Sequence, residues 1–152
     1  MEDFVFNIAK GRVAEYYNRV KSNDPANSAL IIVPLATGDS EANLQDMDDL
    51  ATVLAATPAE AGGSWGRKTL TDADLSALSP DDGNDRMDLS LPDLTWTTPT
   101  ATQDTEGLLV CYDPDTTGGT DSAIIPLTAH IFAVTADGND VVKSAGVFYR
   151  AS

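Results

Sequence analysis

Gly62-Gly63-Ser64-Trp65-Gly66 spells the G-x-S-x-G pattern in which a strained strand-to-helix turn exposes a serine hydroxyl for attack on an acyl carbon. Such a serine needs a base, and His130 is the only imidazole in the chain. The flanking patterns argue for a loop instead. A helical pattern closing at Thr57-Pro58 precedes the motif, and Arg67-Lys68-Thr69-Leu70-Thr71, which reads as a strand, follows it. His130 lies between Ala129 and Ile131 in a β run with no second imidazole or flanking acid, so a hydrogen-bonded strand histidine is expected. Cys111, between Val110 and Tyr112, has no basic neighbour to lower its pKa and is expected to behave as a small buried hydrophobe.

Two oxygen-rich loops have the residue types of a calcium site: Asp81, Asp82, Asn84 and Asp85, then Asp113, Asp115, Thr120 and Asp121. An EF-hand counted from Asp113 would need a bidentate glutamate where Ile124 stands, and Pro114 with Gly118-Gly119 already accounts for that loop as turn chemistry. The expectation is a chain with no catalytic residue, no metal and no cofactor, hence not an enzyme. Its aromatic rings are expected mostly in the core. Trp65, in a glycine-rich loop, is the expected exposed anchor.

The balance of 24 acidic against 9 basic residues gives a net charge of -15, which repels phosphate and argues against nucleic-acid binding. No apolar run approaches the roughly 20 residues of a membrane helix, so no membrane partner is expected. The lone cysteine rules out an intrachain disulfide. Met1-Glu2-Asp3-Phe4 has no signal-peptide character, and synthesis and retention in the cytoplasm are expected.

The elements that must position these residues are mostly short strands. Phe4 to Ile8, Ala29 to Val33, Arg67 to Thr71, Met87 to Leu91, Leu94 to Trp96, Leu108 to Tyr112, Ala123 to Leu127 and Gly146 to Arg150 have β patterns, with Pro126 marking an edge or a bulge. Ile131 to Thr135 and Val141-Val142 are expected to pair as a hairpin across Asp137-Gly138. Leu44 to Ala56 is the one clear helix, with Asp46, Asp48 and Asp49 near its amino end. Val13, Tyr16, Tyr17 and Val20 recur at helical spacing beside Gly11 and two β-favouring tyrosines. Thr97 to Thr105 reads as a surface loop or irregular edge. The expected fold is a mainly β, antiparallel sandwich or jelly-roll-like domain with one short α-helix, spanning residues 1–152.

The wording of Phe6 to Val13, Asn23 to Leu30, Asp81 to Arg86, Leu109 to Asp121, Ile125 to Thr128 and Gly146 to Ala151 resembles small virion structural proteins of tailed bacteriophages. The resemblance runs along nearly the whole chain. It implies a capsid decoration or head-accessory protein on the outer shell, assembled in the host cytoplasm and located in the virion. The implied partners are the major capsid protein or other virion proteins, together with further copies of itself in a homo-oligomer. The alternative is a tail or neck component binding a host glycan or protein. The resemblance also implies a strand from Gly11 to Val20, and that assignment is taken over the periodicity. Phe4, Phe6 and Trp65 are the expected assembly contacts, and removal of Met1 to Ala9 is expected to block incorporation without unfolding the core.

Overall fold

The computed structural model describes residues 1–56, 58–99 and 104–152. Strand β1 (Phe4–Val5) leads through a short 3-10 turn (Asn7–Ala9) to α1 (Val13–Lys21) and β2 (Ala29–Thr37). Then come α2 (Glu41–Leu44), α3 (Leu50–Ala55), β3 (Ala59–Glu60), β4 (Lys68–Leu70), β5 (Pro80–Asp81), β6 (Arg86–Leu91) and β7 (Leu94–Trp96). The last third is β8 (Thr105–Asp113), a 3-10 turn (Asp121–Ala123), β9 (Ile125–Val134), β10 (Val141–Lys143) and β11 (Gly146–Ala151).

The apolar run in β2 is buried from Ala29 to Leu35 because it lies at the centre of the main sheet, ordered β1-β9-β8-β2-β3 with β4 also on β2. Every pairing is antiparallel. Successive side chains point to opposite faces, so this strand feeds two cores. Leu30 and Ile32 meet α1 and the residues Leu89, Leu91, Leu94 and Trp96 of β6 and β7. Ile31, Val33 and Leu35 meet Phe4, Phe6, Leu44, Leu50 and Val53. Two smaller sheets, β11-β6-β5 and β10-β7, complete a mainly β, sandwich-like fold with antiparallel sheets. Among the described residues no helix is long and apolar enough to cross a membrane.

The segment from Gly11 to Val20, expected as a strand, is helical from Val13. Its apolar spacing decides the matter: Val13, Tyr16, Tyr17 and Val20 are all buried on one face. Glu15 on the outer face bridges Arg12 (3.1 Å) and Arg19 (2.9 Å), pairs that only a helix brings together. Of the expected helix from Leu44 to Ala56 only Leu50–Ala55 is helical; α2 ends at Leu44, and with α1 the described residues hold three α-helices where one was expected. Asp49 is the reason for the break. Its carboxylate caps α3, accepting from Thr52 N (2.8 Å) and Thr52 Oγ1 (2.9 Å), so the helix starts afresh there.

The expected strand from Phe4 to Ile8 stops at Val5, because the backbone turns into the 3-10 segment. The two β runs from Ala123 to Leu127 and from Ile131 to Thr135 are one strand, β9. Pro126 does mark a bulge: Cys111 faces Pro126 while Val110 faces Thr128, which leaves Leu127 as an extra residue. The hairpin expected across Asp137-Gly138 does not form. The loop turns locally, with Asp137 accepting from Asn139 N (3.0 Å) and Gly138 at φ 84°, but β10 then pairs with β7 through Val141↔Trp96. Turn chemistry fixed the bend without choosing the neighbour. Of the expected loop from Thr97 to Thr105, residues 100–103 lie outside the described residues, and Thr105 opens β8.

Candidate functional site

None of the residues singled out by motif stands in a reactive setting. Ser64 is exposed on a turn closed by the Trp65 N–H donating to Gly62 O (3.3 Å), between β3 and β4, with no helix following it. Trp65, expected at the surface, is fully buried. Its indole packs against Trp96 (5.5 Å between centroids) and edge-on against Phe132 (6.1 Å), and Trp96 Nε1 donates to Gly66 O (3.0 Å). The glycines around Trp65 therefore let the loop dip inward. Phe4 and Phe6 are buried as well, at 7% and 0% exposure with rings 5.0 Å apart, so their side chains belong to the core beneath the helices. Removing Met1 to Ala9 would strip Phe4, Phe6 and Ala9 from that core, contrary to the expectation that the core would survive.

Cys111 is fully buried, and burial pushes its thiol far above the ordinary range. Nearby lies the tightest charge cluster in the described residues. Arg67 donates from Nε and Nη2 to Glu60 (2.7 and 2.8 Å), and from Nη1 and Nη2 to Asp121 (2.7 and 2.8 Å). Both sides of the guanidinium fork are thus filled by carboxylates. Hydrogen bonding from Arg67 holds Asp121 below the usual carboxylate range. The acidic loops are engaged within themselves. Asp81 accepts from Asn84 Nδ2 (2.8 Å) and Arg86 Nε (3.2 Å), while Asp115 accepts from Thr117 N (3.0 Å) and Thr117 Oγ1 (2.6 Å). Among the described residues no group of three or more His, Cys, Asp or Glu side chains is placed to hold a metal ion.

One concave feature of the surface is a seam between the main sheet and β11. Its inner part is a cavity of about 180 Å³ with an apolar floor of Ile32, Leu91, Leu108 and Val110 and walls of Phe132 and Phe148, with Asp3, His130 and Lys143 also lining it. It opens into a groove of about 300 Å³ lined by Asp3, Phe4 and Val5 on one bank, by Thr128 and His130 of β9, and by Val147 to Arg150 on the other bank. The bulge at Leu127 sets what faces this seam. Beyond it Thr128 pairs with Val110 and His130 with Leu108, both on the seam side of β8.

His130 Nε2 lies 2.8 Å from Thr128 Oγ1, as expected for a hydrogen-bonded strand histidine, and its Nδ1 is 4.0 Å from Asp3 Oδ2. Burial lowers the imidazole pKa, Asp3 raises it and Lys143 lowers it further. The sequence of groups resembles an acid-base-hydroxyl relay, but the geometry differs from one. The 4.0 Å separation is beyond a hydrogen bond, and Asp3 Oδ1 is taken by the Ile131 N–H (2.6 Å). Thr128 is 1% exposed, so its hydroxyl cannot meet a substrate carbonyl. What the seam offers is shape and apolar area.

Sequence reasoning missed this seam because its residues come from strands spread along the whole chain, from β1 and β2 to β11, whose adjacency depends on topology. One signal was present: Val147 is apolar where alternation points it outward. Comparison of the chain with protein-family models, with curated proteins and with solved structures finds no match.

Proposed function

We propose that the chain is a structural protein of a tailed-phage virion, a capsid decoration or head-accessory protein on the outer shell, acting by binding and not by catalysis. The observation that carries this proposal is where apolar surface is left open. Among the described residues the exposed large hydrophobic side chains are Ile131 (59%), Val142 (53%) and Val147 (48%), all in the last third of the chain, and Ile131 and Val147 border the seam. Clustered apolar surface beside a groove is what a protein contact uses. The resemblance along the chain supplies the virion setting. The net charge of -15 supports an outward position, since packaged DNA would repel the chain from the inner surface.

Purified particles analysed by quantitative mass spectrometry and cryo-electron microscopy test the proposal. Copies on the order of hundreds per particle, seen as density outside the shell, are expected; a few copies at a symmetric vertex or tail would place it elsewhere. Absence from particles, or density lining the DNA cavity, would refute it.

A further inference from the structure

The inner end of the seam is a cavity of about 180 Å³ whose lining is apolar except for Asp3, His130 and Lys143. An apolar cavity of ~150 Å³ admits a benzene ring, so this one has room for a ring and one polar atom more. Phe132 and Phe148 wall it, and His130 stands edge-on to Phe148 with ring centroids 6.3 Å apart and planes at 79°. An aromatic guest finds ring edges and faces there to pack against in the same way. The polar groups favour an uncharged guest. Asp3 and Lys143 are opposite in sign, burial keeps His130 neutral, and Lys143 Nζ already donates to Ser144 O (3.2 Å).

One hydrogen-bonding position is open. His130 Nε2 is taken by Thr128 Oγ1 (2.8 Å), while Nδ1 makes no hydrogen bond among the described residues and stands 4.0 Å from Asp3 Oδ2. That gap is too long for a direct bond but suits a bridge, since an oxygen ~2.8 Å from both atoms subtends about 90° between them. With the Thr128 hydroxyl donating to Nε2, Nδ1–H is a donor and Asp3 Oδ2 an acceptor, the pair that a single hydroxyl satisfies. Asp3 Oδ1 accepts from the Ile131 N–H (2.6 Å), which holds the carboxylate in place. Asp3 is 66% exposed, so the bridge sits at the mouth and the ring inward of it.

We propose that this cavity is a binding site for a small, uncharged aromatic alcohol of the phenol class, its ring against Phe132 and Phe148 over Leu108 and Val110, its hydroxyl bridging His130 Nδ1 and Asp3 Oδ2. This goes beyond the virion reading and does not depend on it.

Phenol is the probe, titrated calorimetrically into the intact chain at neutral pH. A Kd of about 1 mM is expected for so few atoms, with benzene, which lacks the hydroxyl, at least about threefold weaker and benzoate, which carries a charge, at least about tenfold weaker. Asp3→Asn keeps an oxygen for the Ile131 N–H and puts a donating amide in place of the accepting Oδ2. It should weaken phenol about fivefold and benzene less than about twofold. In isotope-filtered NMR at saturation, the ring protons of phenol should contact the methyl groups of Leu108, Val110 and Val147. Phenol no tighter than benzene, an Asp3→Asn effect equal for the two, contacts with methyl groups elsewhere, or no saturable heat up to about 10 mM phenol would overturn the inference. Particle composition tests the virion role separately, and neither result decides the other.

Discussion

Replacing Arg67 with methionine keeps most of the side-chain length and removes a guanidinium that makes four hydrogen bonds of 2.7 to 2.8 Å to two carboxylates. Glu60 and Asp121 would then face each other without a cation. Breaking a fully buried pair costs about 3–5 kcal/mol and an exposed one about 0–1 kcal/mol. The side chains here are 28% exposed for Arg67, 31% for Glu60 and 34% for Asp121, which places the cost between these limits, at about 2 kcal/mol. For a chain of this size that is a fall in Tm of about 4–8 °C, read by circular dichroism at neutral pH. The pH dependence gives a second check. Asp121 has a lowered folded pKa, so its stabilising contribution is present above the unfolded value and lost as pH falls through the folded one. The gap between wild type and Arg67→Met should therefore narrow below about pH 4. Adding Asp121→Asn to Arg67→Met should recover part of the loss at neutral pH by removing the repulsion. A Tm within about 1 °C of wild type, or a gap unchanged in acid, would refute the cluster's structural role.

Trp65→Ala is expected to cost about 3–5 kcal/mol in urea denaturation, as a buried indole does, whereas a value near zero would mean that Trp65 lies at the surface. His130 has a lowered folded pKa, so the unfolded chain binds more protons and stability should drop as pH falls through the unfolded histidine value. His130→Gln should flatten that slope between about pH 7 and 5 in denaturant midpoints, with Asp3 and Lys143 still facing the site. Cys111 should resist a thiol reagent in native buffer and react fully once denatured; fast native modification would contradict its burial.

The sheet-forming segments could be read from the sequence because burial on one or two faces leaves a period that survives in the chain. Ala29 to Val33 and Leu108 to Tyr112 are examples, and both lie at the centre of the main sheet. Helix α1 was legible too, and its periodicity was a better guide than the resemblance that implied a strand. Pairing was less legible: Asp137-Gly138 announces a bend, yet whether β10 joins β9 or β7 is decided by packing distant in sequence. Trp65 shows the same limit, since glycines flank exposed and buried loops alike. The seam lay beyond sequence reasoning because neither edge strand carries any mark of the other.

The bulge in β9 also separates chain length from register. Because Leu127 is unpaired in the ladder, its deletion would leave Cys111 opposite Pro126 and Val110 opposite Thr128, losing only one buried leucine, a cost of about 2–5 kcal/mol. Deleting Ala129, two residues on, falls in a regular stretch of the ladder: the side chains between it and the next register shift, past Ile131, would exchange faces, turning His130 away from the seam. The same one-residue loss thus trims the molecule at one position and turns part of it inside out at the other.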